Sequence, residues 1–125
     1  MMEREIKFRA WDKIGKQGML GWDRMIEIGV ELFFKDNFGF ELLQYTGLHD
    51  RLGKEIYEGD IVQWKNLRGD EIRDIVIWSD EEHGFSLKET PGLCNVLFGK
   101  KGEHLEVIGN IYSRRSNEEE ENDDK

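Results

Sequence analysis

Apolar residues in this chain recur at every second position, in short runs broken repeatedly by glycine and turn-forming side chains. That spacing constrains the fold more than any other feature, because successive side chains leave an extended backbone on opposite faces. Ile6, Phe8 and Ala10 alternate with Lys7 and Arg9, which predicts a first strand ending in the loop Asp12–Lys16. Ile26, Ile28, Val30, Leu32 and Phe34 fall on one extended face, with Glu27 and Glu31 on the other. A helical template also collects part of this run, but Gly29 and the β-branched and aromatic side chains favour a strand. Phe38, Phe40 and Leu42 then slip phase to Leu43 and Tyr45, predicting a bulge or a strand end. With Asp36-Asn37 as the turn, residues 25–45 read as a hairpin. Residues 15–24, punctuated by Gly15, Gly18 and Gly21, read as loop.

The second half carries the same pattern. Ile61 to Trp64 reads as one strand. Ile75-Val76-Ile77-Trp78 is a continuous apolar run of the kind found in strands covered on both faces. The polar turn Asp80–Gly84 and the alternating Phe85 and Leu87 complete a hairpin over about residues 72–89. Thr90-Pro91-Gly92 breaks the chain, and Leu105, Val107 and Ile111 mark a last strand in which Gly109 predicts a bulge. Short strands at this spacing, with no confident helix, indicate a mainly β roll or small barrel. Trp64 and Trp78 belong to its core or rim, whereas Trp11 breaks the alternation of its strand and reads as exposed.

A chain of 125 residues is one domain, or two small lobes, and buries enough surface to need neither metal nor disulfide. The single cysteine, Cys94, excludes a disulfide scaffold and reads as a buried thiol. The N-terminus has no apolar run of signal-peptide type, and no stretch approaches the length that crosses a bilayer, so a cytoplasmic setting is expected. The net charge of −9 is uneven: residues 116–125 hold six acids and one base and no apolar side chain. That segment reads as a disordered acidic tail, because nothing in it can offset its ordering entropy.

Between the halves lies a glycine-punctuated connector, Tyr45-Thr46-Gly47-Leu48, then Gly53-Lys54-Glu55-Ile56-Tyr57-Glu58-Gly59-Asp60-Ile61-Val62. Gly59 reads as a positive-φ turn that releases directly into an apolar strand. This block resembles the signature of the YopX family, small proteins found mostly in phages and prophages. Ile6–Asp12 and the closing Glu106–Tyr112 match in order on either side of it. The resemblance implies an SH3-like barrel or roll in a C-terminal domain over residues 46–115, preceded by a smaller β-rich N-terminal lobe over residues 1–45. It carries no activity to this chain. The motif residues Tyr45, Gly47, Gly53, Ile56, Tyr57, Gly59, Asp60 and Gly109 read as structural.

The residue types that carry chemistry do not assemble into a site. Gly47 to Gly53-Lys54 has the wrong spacing for a phosphate-binding loop, and Glu55 follows where a hydroxyl is needed. Gly99-Lys100-Lys101-Gly102 has the form of a basic GxxG clamp, but its apolar flanks read as strands and not as the helices such a loop joins. His49, His83 and His104 lie far apart, without a cysteine partner. Asp80-Glu81-Glu82 is a hydrated turn, and Ser79 lacks any nucleophile elbow. No enzyme activity, metal or cofactor is therefore expected. A protein partner or self-association, including a homo-oligomer, is the leading expectation. Nucleic-acid binding through Lys7, Arg9, Trp11, Lys65, Arg68, Lys100 and Lys101 is the alternative, by analogy with small barrels that do so. Its mirror image is an acidic surface that imitates nucleic acid in a host protein's groove.

Overall fold

The structure, a computed structural model, describes residues 5–15, 17–35, 39–90 and 104–112. It is mainly β. The strands among the described residues are β1 (Phe8–Asp12), β2 (Met19–Leu20), β3 (Phe40–His49), β4 (Glu55–Tyr57), β5 (Asp60–Lys65), β6 (Glu71–Ser79), β7 (Gly84–Leu87) and β8 (Glu106–Asn110). An α-helix, α1 (Trp22–Ile28), and a 3-10 helix, Val30–Phe34, accompany them. The strands form two four-stranded sheets, ordered β2-β1-β3-β4 and β7-β6-β5-β8. No helix among the described residues is long and apolar enough to cross a membrane.

The chain forms two compact units, Met1–Gly47 and Leu48–Lys125. In the first, β1 pairs antiparallel with β2 and with β3. Phe8 and Ala10 face the core as their alternation predicts, although Ile6 lies before the strand and is exposed. The strand expected over residues 26–34 is instead α1 and the 3-10 helix. Trp22, Met25 and Ile28 stand three apart, as do Val30 and Phe33, and these residues pack with Ala10 and Leu20. Ile26, which extended alternation would bury, is exposed. Gly29, with φ 120°, is a helix end and not a strand interior. Its N–H donates to the Met25 carbonyl at 2.9 Å, and its own carbonyl accepts from Leu32 at 3.0 Å. Burial of one helical stripe here outweighs the weak β preference of single residues. For the same reason residues 15–24 are not all loop, since they hold β2 and the first turn of α1. The Asp36-Asn37 turn lies outside the described residues.

The phase slip at Leu42-Leu43 is not a bulge. The β1–β3 register runs unbroken from Asp12↔Phe40 to Phe8↔Gln44. Leu42 packs on the Ala10–Met25 cluster, while Leu43 and Tyr45 are buried on the opposite face. β3 is thus apolar on both faces because both are covered.

In the second unit, Ile56, Val62, Trp64, Val76, Leu87, Leu105 and Val107 form the core. The expected hairpin over residues 72–89 is β6 and β7, in the register Val76↔Leu87 and Trp78↔Phe85. Its apolar run is not covered on both faces: Val76 is buried, Ile75 and Ile77 are half-buried, and Trp78 is 47% exposed. Trp78 sits at the rim, stacked edge-on against Phe85 with centroids 5.3 Å apart. The bulge predicted near Gly109 is present, since the β5–β8 register jumps from Ile61↔Gly109 to Val62↔Val107 and leaves Ile108 as the extra residue.

Gly47, Gly53 and Gly59 have φ of 90°, 87° and 89°. Gly59 is buried, and both its backbone groups are engaged. Its N–H donates to Val76 at 2.7 Å, and its carbonyl accepts from Ile111 at 2.9 Å. A side chain there would strain a turn that cannot relax, so Gly59→Ala should lower stability by about 1–3 kcal/mol. An unchanged urea midpoint would contradict this reading of the turn.

Candidate functional site: a mixed-charge cleft on the second unit

Four buried aspartates among the described residues, Asp12, Asp50, Asp60 and Asp74, clamp turns of this protein, and Asp50 builds the cleft. Asp50, at the turn after β3, accepts from the Leu52 and Lys54 amides through Oδ1 at 2.9 and 2.8 Å. Its Oδ2 accepts from the Val107 amide of β8 at 2.8 Å. Burial pushes this carboxyl up. The Val107, Lys54 and Leu52 amides outweigh that, helped by the Lys54 charge, and hold it below the ordinary value of 3.8. Asp12 is likewise held low, chiefly by the Gly15 amide at 2.6 Å. Asp60 accepts from the Tyr57 amide at 2.7 Å, closing the β4–β5 turn. Asp74 gathers the amides of Glu89 and Thr90 and the Thr90 hydroxyl after β7.

Asp50 thereby fixes its neighbour. The Arg51 N–H donates to the Leu105 carbonyl at 2.9 Å, which brings the Arg51 side chain within reach of Glu106. The two side chains meet at 2.8 Å, with Arg51 54% exposed and Glu106 29% exposed. An exposed ion pair of this kind contributes at most about 1 kcal/mol, so its importance is placement and not stability. Next to it, Gln63 of β5 stands in register with Glu106, and its Oε1 accepts from Arg73 Nε at 3.0 Å. Lys65, further along β5, stands in register with Glu71. Arg51, Gln63, Lys65, Glu71 and Glu106, with Trp64 and His104, line a cleft of about 530 Å³. Two bases, Arg51 and Lys65, and two acids, Glu71 and Glu106, line it together, which suits a ligand that presents both signs.

Of the residues predicted to bind nucleic acid, the described ones divide between the two units. Lys7, Arg9 and Trp11 share a face of the first unit, but it is the face on which Leu43 and Tyr45 are buried. Trp11 is half-buried there and not exposed as its broken alternation suggests. Lys7 lies 3.5 Å from Glu5 and 5.0 Å from the centre of the Tyr45 ring. In the second unit, Lys65 lines the cleft, and Arg68 is in the exposed β5–β6 turn organised by Asn66, whose Oδ1 accepts from the Arg68 and Asp70 amides. Lys100 and Lys101, and with them the GxxG loop, lie outside the described residues. So do Cys94, Pro91-Gly92, the apolar flank read as a strand before that loop, and the acidic tail. Of the structural motif residues, Tyr45, Ile56, Tyr57, Gly59 and Asp60 are buried.

Arg51, Gln63, Glu71, His104 and Glu106 are cleft residues that sequence reasoning missed. Arg51 and Glu106 are 55 positions apart, and no local pattern announces such a pair. Among the described residues, no three His, Cys, Asp or Glu side chains gather as metal ligands.

A family model described as YopX protein matches residues 24–116. Among solved structures, the chain is similar to the crystal structure of protein EF1440 from Enterococcus faecalis. That match has 22% identity and a TM-score of 0.59, and it covers 90% of this chain and 97% of the other. A likeness at that identity speaks for the fold alone. No curated protein sequence matches the chain.

Proposed function

The chain belongs to the YopX family, and within it we propose a non-enzymatic module that works through contact with another protein. The observation that carries this reading is the mixed-charge cleft. Its bases already face acids, Arg51 on Glu106 and Lys65 across from Glu71, so a protein surface of both signs fits it better than a phosphate backbone. The commitment of the buried aspartates to backbone amides supports the non-enzymatic part, because acid–base chemistry needs a carboxylate free to exchange a proton. A phage or prophage origin and a role inside a bacterial cell rest on the family resemblance. An SH3-type roll for the second unit rests on that resemblance and on the antiparallel order β7-β6-β5-β8.

A photo-crosslinking residue at Lys65 tests the proposal in a bacterial lysate, with the same residue at exposed Lys88 as the control. Protein adducts specific to position 65 are expected. Adducts consisting of nucleic acid, together with oligonucleotide binding that weakens as salt is added, would replace the protein reading by the nucleic-acid one.

A further inference from the structure

We infer that the turn end of the β6–β7 hairpin docks a basic segment of a partner protein, with the indole of Trp78 stacking on a cationic side chain. All residues of this hairpin, 71–87, are among those described. Trp78 remains 47% exposed, yet two contacts fix its ring. Its Nε1–H donates to Asp80 Oδ1 at 3.0 Å. Phe85, its cross-strand partner, meets it edge to face, with centroids 5.3 Å apart and planes at 85°. A ring held in this way loses little freedom when a ligand stacks on it. The hydrogen bond to a carboxylate also feeds electron density into the indole, which already attracts cations more strongly than any other aromatic side chain.

The turn supplies the charge that selects the ligand. Asp80, Glu81 and Glu82 follow Trp78 at exposed positions, and neither Asp80 nor Glu81 makes an ion pair with a described residue. The hairpin's own bases are placed elsewhere. Arg73 donates to Gln63, and the Lys88 N–H donates to the Ile75 carbonyl, three positions back along β6 from Trp78. An apolar ligand on the indole would leave the carboxylates without a partner. A phosphate backbone would be repelled by them and by the net charge of −9. A cationic side chain satisfies ring and carboxylates together. Arginine does so best, because its planar guanidinium stacks on the ring while its N–H groups reach a carboxylate. The occupant is therefore an arginine-bearing segment of a partner protein, which rests on the protein-binding reading and adds a second surface to it.

NMR spectra of the full chain, titrated with the peptide Gly-Arg-Ala-Arg-Gly, test this through the indole N–H signals of its four tryptophans. The signal lost in Trp78→Phe identifies Trp78. That signal should move saturably and ahead of those of Trp11, Trp22 and Trp64, and the same peptide with citrulline for arginine should leave it in place. Trp78→Leu, followed through the Asp80 and Glu81 amides, should weaken binding about fivefold or more, and Trp78→Phe by less. Glu81→Gln should weaken it about twofold, whereas Glu31→Gln, at an exposed acid of the first unit, should not. Dispersed spectra verify that the variants fold, and Glu81→Gln, at an exposed turn position, keeps the test decisive if Trp78→Leu does not. A Trp78 signal that stays in place, or that moves equally with citrulline, overturns the docking site alone. So do equal losses for Glu81→Gln and Glu31→Gln, which would show attraction to the net charge only. Salt-sensitive binding of an oligothymidine overturns the protein-binding reading with it.

Discussion

Asp50→Ala should destabilise the protein by about 3 kcal/mol or more, since it removes an ionised acceptor from three backbone amides and leaves the buried Val107 N–H without a partner. Asp50→Asn keeps the shape but not the acceptor capacity, because its amide nitrogen must face at least one N–H. It should recover only part of the loss. The effect has a defined pH dependence. The folded carboxyl is held below 3.8, so its contribution is fully present above that value and is lost as pH falls through the folded-state value. Urea midpoints of wild type and Asp50→Ala should therefore differ most near neutrality and converge in acid. A gap that stays constant from about pH 7 down to about pH 3, across the ordinary carboxylate range, would show that the carboxylate charge is not what holds the turn to β8.

Truncation of Ile56 should have an effect of the same order. Its side chain is fully buried in the core of the second unit, among Val62, Trp64, Val76, Leu87, Leu105 and Val107. Ile56→Ala should cost about 2–5 kcal/mol, and Ile56→Val about 1 kcal/mol, through lost transfer energy and the cavity left behind. Equal midpoints for the two variants would mean that the site collapses freely and is not the packed centre described above.

How much of this is legible in the sequence depends on the range over which each feature is decided. The β6–β7 hairpin is legible because its turn, Asp80–Gly84, and its two strands are neighbours in the chain. The bulge at β8 is legible because Gly109 interrupts a strand locally. Residues 22–34 mislead because their apolar side chains satisfy both a period of two and a spacing of three. Only the cluster with Ala10 and Leu20 chooses between them, by burying Met25 and Phe33 and leaving Ile26 in water. The cleft is invisible because its charges come from β5, β6 and β8 and from the turn after β3, and a basic side chain in sequence does not reveal which acid will face it. The surroundings of Lys7 and Arg9 are hidden in the same way: both alternate outward from the Phe8–Ala10 core, yet Leu43 and Tyr45 are buried on their face as well.

Residues close together in the chain were enough to set several of its turns, most of the short runs that extend, and the family to which it belongs. Those properties live in the positive φ that Gly59 tolerates and in side chains alternating across a strand. Long-range packing was needed to make residues 22–34 coil, to cover β3 on both faces, and to bring Arg51 to Glu106. Local preferences there differ by less than the free energy of burial against distant residues, so packing made the choice.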